Sequence, residues 1–111
     1  MIELRLEFKT PVFNQGLNVT VRRGHKWVDS KGQRVQLWGN GQSHGEVIIT
    51  AVYPGRFCDL FDNNYPMQTD FLRLEHDPTC HNVAGLRKAM IAAYPDFDDD
   101  DDVCVVEFFK Q

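Results

Sequence analysis

Residues able to do chemistry are concentrated in Gly16-Leu-Asn-Val-Thr20-Val-Arg22-Arg23-Gly24-His-Lys26-Trp27. On a half-buried strand alternate residues share a face, so Val19 and Val21 point to the core while Thr20 and Arg22 point together toward a cleft. A hydroxyl beside guanidinium groups makes a small, cationic, hydrogen-bonding surface. Paired guanidinium donors suit phosphate oxygens, and Lys26 followed by Trp27 sets a charge beside a stacking surface, as sites for single strands and nucleosides do. Arg22, Arg23, Lys26 and Trp27 are therefore candidate ligand contacts. The bland alternatives are strand arginines that solvate a sheet or pair with carboxylates, and a tryptophan that belongs to the core.

Other clusters carry less. His76, Asp77, Cys80 and His81 sit around a proline turn without the converging spacings of a zinc site, so no metal is expected. His25 and His44 are isolated along the chain, and no cofactor is implied. The run Asp96, Asp98 through Asp102 lacks the glycine and spaced oxygens of a calcium loop and reads as a hydrated loop. It would repel a polyanion, leaving the face with Arg22, Arg23 and Lys26 for any nucleic acid. The acidic half offers itself instead to a basic protein partner.

The elements that must position these residues follow from pattern. Met1 to Phe8 alternates charged and apolar residues, unlike a signal peptide, and its period of two predicts a first strand from Ile2 to Phe8, ended by Thr10-Pro11. Further strands are expected near Val19–Arg23, at Arg34–Trp38, at Glu46–Tyr53 and at Val103–Phe109. Glu46–Tyr53, apolar almost throughout, reads as the most buried strand, stopped by Pro54-Gly55. On the last strand Cys104, Val106 and Phe108 share one side. Gly39-Asn-Gly41 is a turn. A short helix capped by Thr69 is predicted over Thr69–His76, and Asn82 caps a second over Val83–Ala93 with Val83, Leu86, Met90 and Ile91 on one face. Between Arg56 and Asp70 the pattern fits a short helix or a loop equally.

At 111 residues and 42% hydrophobic content the chain supports one core, hence a single domain over 1–111. No apolar run nears the roughly 18–20 residues that cross a bilayer, so no membrane partner is expected and a soluble, cytoplasmic protein is. Three cysteines, Cys58, Cys80 and Cys104, without Cys-x-x-Cys spacing read as buried free thiols. The net charge of -4 hides an asymmetry: residues 1–60 hold eight Lys/Arg against five Asp/Glu, and residues 61–111 four against eleven. Five or six short strands with two helices in the second half, and no strand-helix-strand repetition, argue α+β with a small, mostly antiparallel barrel.

The strand with Thr20 and Arg22, taken with Leu86-Arg-Lys-Ala-Met-Ile-Ala-Ala-Tyr-Pro95 and Val103-Cys-Val-Val-Glu-Phe-Phe109, resembles the ASCH domains, a PUA-like β-barrel family, nearest to small bacterial acetylcytidine amidohydrolases. The resemblance implies a fold related to RNA-binding domains and a pocket wall marked by glycine, any residue, lysine, two residues, threonine, any residue, arginine. Aligned on Thr20 and Arg22, Leu17 falls at the lysine. Aligned on Gly16, Asn18 does, with Val21 and Arg23 at the threonine and arginine. The family's catalytic set is the lysine, the threonine and a glutamate ahead of the last helix. It implies Thr20 as nucleophile or water-orienting group. The glutamate position counts back to near Thr79, and Glu75 takes the role if the loop differs in length. Lys26, beyond the glycine turn, offers itself as a substitute for the lysine. Two functions follow as expectations: a module that binds a nucleoside, nucleotide or single-stranded RNA, or an amidohydrolase acting on an acylated base. Whether the chain is an enzyme stays open at this stage.

Overall fold

The computed structural model describes residues 4–9, 11–61 and 75–110. They form five strands: β1 (Arg5–Glu7), β2 (Gly16–Arg23), β3 (Arg34–Gly39), β4 (Gln42–Arg56) and β5 (Asp102–Lys110). Helix α1 (Phe57–Leu60), a 3-10 turn over Pro78–Cys80 and helix α2 (Val83–Ala93) complete the described elements. The strands lie in the order β1-β3-β4-β5-β2. Only the β1–β3 pair is parallel. The α+β class and the mostly antiparallel sheet agree with the sequence reading. No pairing joins β1 to β2 among the described residues, so the sheet is not a closed barrel there.

The β3–β4 hairpin turns on Asn40 and Gly41, with φ of 53° and 74°. Positive φ at both central residues is the geometry for which Asn-Gly is preferred. β4 then runs through Pro54-Gly55, where a stop was expected. Among the described residues its first half pairs with β3 as far as Ile48 and its second half with β5 alone. A proline on a strand with one free edge costs no ladder bond, which is why Pro54 is tolerated.

Burial also corrects the reading of β4. Val47 and Ile49 are buried, but Glu46, Ile48 and Thr50 between them are exposed. The most buried strand is β5, which lies between β4 and β2 and has a core on each face. Cys104, Val106 and Phe108 pack with Leu6, Phe8, Trp27 and Leu37 on one side, as the alternation predicts. Val103 and Val105 pack with Val19, Val21, Phe57, Leu86 and Met90 on the other. Cys80 and Cys104 are buried thiols, whereas Cys58 is partly exposed.

The expected helix over Thr69–His76 falls largely outside the described residues, and its last two positions are not helical. Glu75 forms an isolated parallel bridge with Val19, and the His76 amide donates to the Val19 carbonyl at 3.1 Å. The flank between Arg56 and Asp70 that fitted helix or loop begins as α1.

α2 starts where the sequence places it, with the Asn82 carboxamide oxygen accepting from the Gly85 amide at 2.8 Å. A side chain on Gly85 would overlap the Thr79 carbonyl, so the turn before α2 sits directly on the helix backbone. Leu86 and Met90 are buried, but Ile91 is 46% exposed. At about 100° per residue the inward stripe is Val83, Leu86, Ala89 and Met90, as expected for three of the four predicted residues, and Ile91 lies outside it. Asn82→Ala is expected to cost about 1 kcal/mol, read as a lower urea midpoint at unchanged slope. A variant as stable as the parent would mean that the cap contributes nothing.

Candidate functional site

A cavity of about 560 Å³ lies along the edge of β2 that β5 does not occupy. Residues 7–9 after β1 form one wall, Thr20 and Arg22 the floor, Glu75, His76 and Cys80 a second wall, and Leu86, Ala89 and Met90 of α2 with Tyr94 the third. The alternation of β2 builds this floor. Val19 and Val21 are drawn into the core cluster under α2. Arg22 extends over Phe8 of the opposite cluster, its Cζ 4.6 Å from the ring centroid.

Arg22 is held at three points. Its Nε donates to Thr20 Oγ1 at 3.2 Å, its Nη1 donates to the Glu7 carbonyl at 2.7 Å, and Phe8 supports its face. Burial draws its pKa below the ordinary value, against the pull of Tyr94, Glu75 and Glu7. It nonetheless remains a cation, as guanidinium groups in proteins do. Thr20 is 4% exposed and receives the Arg22 bond, so its hydroxyl is oriented rather than free to rotate.

Glu75 is 3% exposed. Burial pushes its carboxyl up to about 8, against the opposing pull of the Asp77 amide and the Arg22 charge. Its Oε1 lies 3.1 Å from His76 Nε2, while its Oε2 is buried without a hydrogen-bond partner among the described residues. Such an oxygen is a standing cost of about 1–3 kcal/mol. His76 Nδ1 lies 3.0 Å from the Val12 carbonyl, and burial lowers the pKa of the ring. Burial also raises the Cys80 thiol to about 11, so the cysteine in this wall is not a thiolate nucleophile near neutrality.

The structure brings Thr20, Arg22 and Glu75 to one cavity and leaves the other candidates outside it. Arg23 points to the acidic segment, with Nη1 2.8 Å from Asp96 and Nη2 2.9 Å from Asp101. Lys26 is exposed beyond the Gly24 turn, its Nζ 5.3 Å from the Trp27 ring centroid. Trp27 is 6% exposed and belongs to the core with Leu6 and Leu37, the bland alternative for this residue. Leu17, at the lysine position of the motif, is 39% exposed and does not line the cavity. The lysine in the cavity wall is Lys9, which sequence reasoning passed over. His76 was missed as a site residue as well, although its place beside Glu75 was the available signal.

The aspartate run is more ordered than a hydrated loop. Arg87 binds Asp99 through Nε and Nη2 at 3.0 and 3.1 Å, and the Asp98 and Asp101 side chains accept backbone amides within the run. His25 pairs with Asp102 at 3.1 Å, His44 reaches the Gly39 carbonyl and His81 the Glu75 carbonyl. No group of His, Cys, Asp and Glu among the described residues is arranged to hold a metal ion. No helix among them is long and apolar enough to cross a membrane.

No protein-family model, no curated protein and no solved structure matches the chain.

Proposed function

We propose that the cavity on β2 is a nucleoside or nucleotide site on an ASCH-like domain whose strands curl as in the PUA-like barrels. The observation that carries this reading is the convergence of Thr20 and Arg22 on β2 with Glu75, more than fifty residues further along the chain, on one cavity. Its volume suits a small ligand, and an apolar helix face opposite a few polar groups is the usual composition of such sites. A longer RNA strand has less to hold it, because Arg23 is already paired with Asp96 and Asp101 and Lys26 stands outside the cavity. The same pairings leave the acidic half less charge for a basic protein partner.

A specific observation also favours the amidohydrolase reading. Glu75 is a proton-bearing carboxyl near neutral pH, it shares the cavity with the Thr20 hydroxyl, and Lys9 supplies the basic residue missing from the strand. On this reading the N-acyl C–N bond of an acylated base breaks. Thr20 orients the attacking water, or attacks itself to give an acyl ester that water then hydrolyses; Glu75 takes the proton of the attacking hydroxyl and passes it to the leaving amine, Arg22 faces the developing oxyanion, and the products are the free base and the carboxylic acid.

Incubation with acetylcytidine, followed chromatographically, separates the two. Conversion that falls by about 100-fold or more in Thr20→Ala establishes hydrolysis at this site. Conversion unaffected by Thr20→Ala removes Thr20 from the mechanism. Tight binding without conversion leaves the binding module.

A further inference from the structure

His76 sets a polarity inside the cavity. Its Nδ1 lies 3.0 Å from the Val12 carbonyl oxygen, which only accepts, so Nδ1 carries a proton. Nε2 then meets Glu75 Oε1 at 3.1 Å, and both side chains are almost fully buried. This contact is a hydrogen bond only when one proton lies between the two atoms. With two protons the donors collide, and with none two lone pairs face each other. Oε1 also receives the Asp77 amide at 3.5 Å. Whichever atom holds the shared proton, Glu75 Oε2 remains an acceptor, and no donor among the described residues reaches it. Arg22 contributes the opposite polarity: its guanidinium only donates, and Nε and Nη1 are committed to Thr20 and Glu7, which leaves Nη2 outside both bonds.

We propose that His76 is a positioning residue that holds Glu75 through Oε1 and keeps Oε2 as an acceptor, so that the cavity takes a neutral amide or nucleobase edge and rejects phosphate. An amide or base edge offers an N–H beside an oxygen or nitrogen acceptor, matching Oε2 and the guanidinium. A phosphate would set acceptor oxygens against Oε2 in a wall closed to water. The charged and titratable groups that face the pair are Arg22 from β2, Glu7 and Lys9 from the β1 side, Asp77, Cys80 and His81 from the turn that follows it and Tyr94 at the end of α2. The proposal rests on the nucleoside reading above and narrows it to the base.

The test is calorimetric titration with cytidine, acetylcytidine and ribose 5-phosphate, the last as the phosphate probe. The nucleosides are expected to bind and ribose 5-phosphate not to compete. Glu75→Ala should weaken nucleoside binding about tenfold or more, and Glu75→Gln only about threefold, because its amide nitrogen can turn to His76 Nε2 and leave its oxygen to the ligand. In a His76→Ala background that advantage of Gln over Ala should vanish, a coupling that a merely structural histidine would not produce. Nucleoside binding with the advantage intact in that background overturns the role of His76. Competition by ribose 5-phosphate overturns the base-edge assignment and keeps the site in its nucleotide form. Failure of every probe to bind removes the nucleoside reading itself, and the proposal with it.

Discussion

Arg22→Ala is expected to abolish nucleoside binding, a loss of about 100-fold or more, and to destabilise the fold by about 2–3 kcal/mol. The two effects share one cause. The guanidinium bridges Thr20 on β2 and the Glu7 carbonyl on the β1 side while lying over Phe8, so it joins the two walls between which a ligand enters. Removing it deletes two charge-assisted hydrogen bonds, each worth about 1.5–3 kcal/mol, and leaves the Thr20 hydroxyl without its donor, while the desolvation cost of the buried guanidinium is relieved and offsets part of the loss. Arg22→Lys should not rescue binding, because an ammonium lacks the rigid planar fork that reaches Thr20 and Glu7 at once while its face lies on Phe8. Arg23→Ala is the control. It is next in sequence and carries the same charge, yet it spends its donors on Asp96 and Asp101 and should leave nucleoside affinity unchanged. Calorimetry with cytidine and urea denaturation on the same samples read both consequences. If Arg22→Ala bound as the parent does, the cavity on β2 would not be the site.

That contrast shows what the sequence could and could not convey. The period of two along β2 places Val19 and Val21 under α2 and Thr20 and Arg22 on the other face, a statement about local geometry that alternation alone supports. Which basic residues share a cavity is a matter of tertiary contact. Arg23 and Lys26 follow Arg22 within the same short segment, but the Gly24 turn carries Lys26 away, and Arg23 meets aspartates more than seventy residues further on. Lys9 enters the wall from the segment after β1, which no spacing within β2 foretells. The same division governs the elements. Asn82 and the Asn40-Gly41 turn were legible because capping and positive φ are local preferences. The burial of β5 and the path of β4 through Pro54 were not, because they depend on which strands lie beside them.

The Glu75–His76 pair should leave its own signature in the dependence of stability on pH. The ordinary pKa of the glutamate is 4.5 and that of the histidine 6.5; burial raises the first to about 8 and lowers the second. Just below 6.5 the unfolded chain holds one proton on this pair, as imidazolium, and the folded chain, whose histidine is held below its ordinary value by burial, also holds one, as the carboxyl. Proton numbers match, so the pair contributes no slope there. From 6.5 to 8 the unfolded histidine gives up its proton while folded Glu75 keeps its own, so stability falls as pH rises. At about 1.4 kcal/mol per pH unit the fall amounts to about 2 kcal/mol. In the acid range stability falls as pH drops because Asp77 and Asp96 are both held below their ordinary values, so the unfolded chain takes up their protons first. Glu75→Gln removes the carboxyl and inverts the pattern. Only the lowered histidine remains, so stability should be level between 6.5 and 8 and fall as pH drops below 6.5. Urea denaturation at about pH 5.5, 6.5 and 8 distinguishes the two curves. A parent protein level from 6.5 to 8 would mean that Glu75 is already ionised in the fold, and that its Oε2 draws a donor from elsewhere without waiting for a ligand.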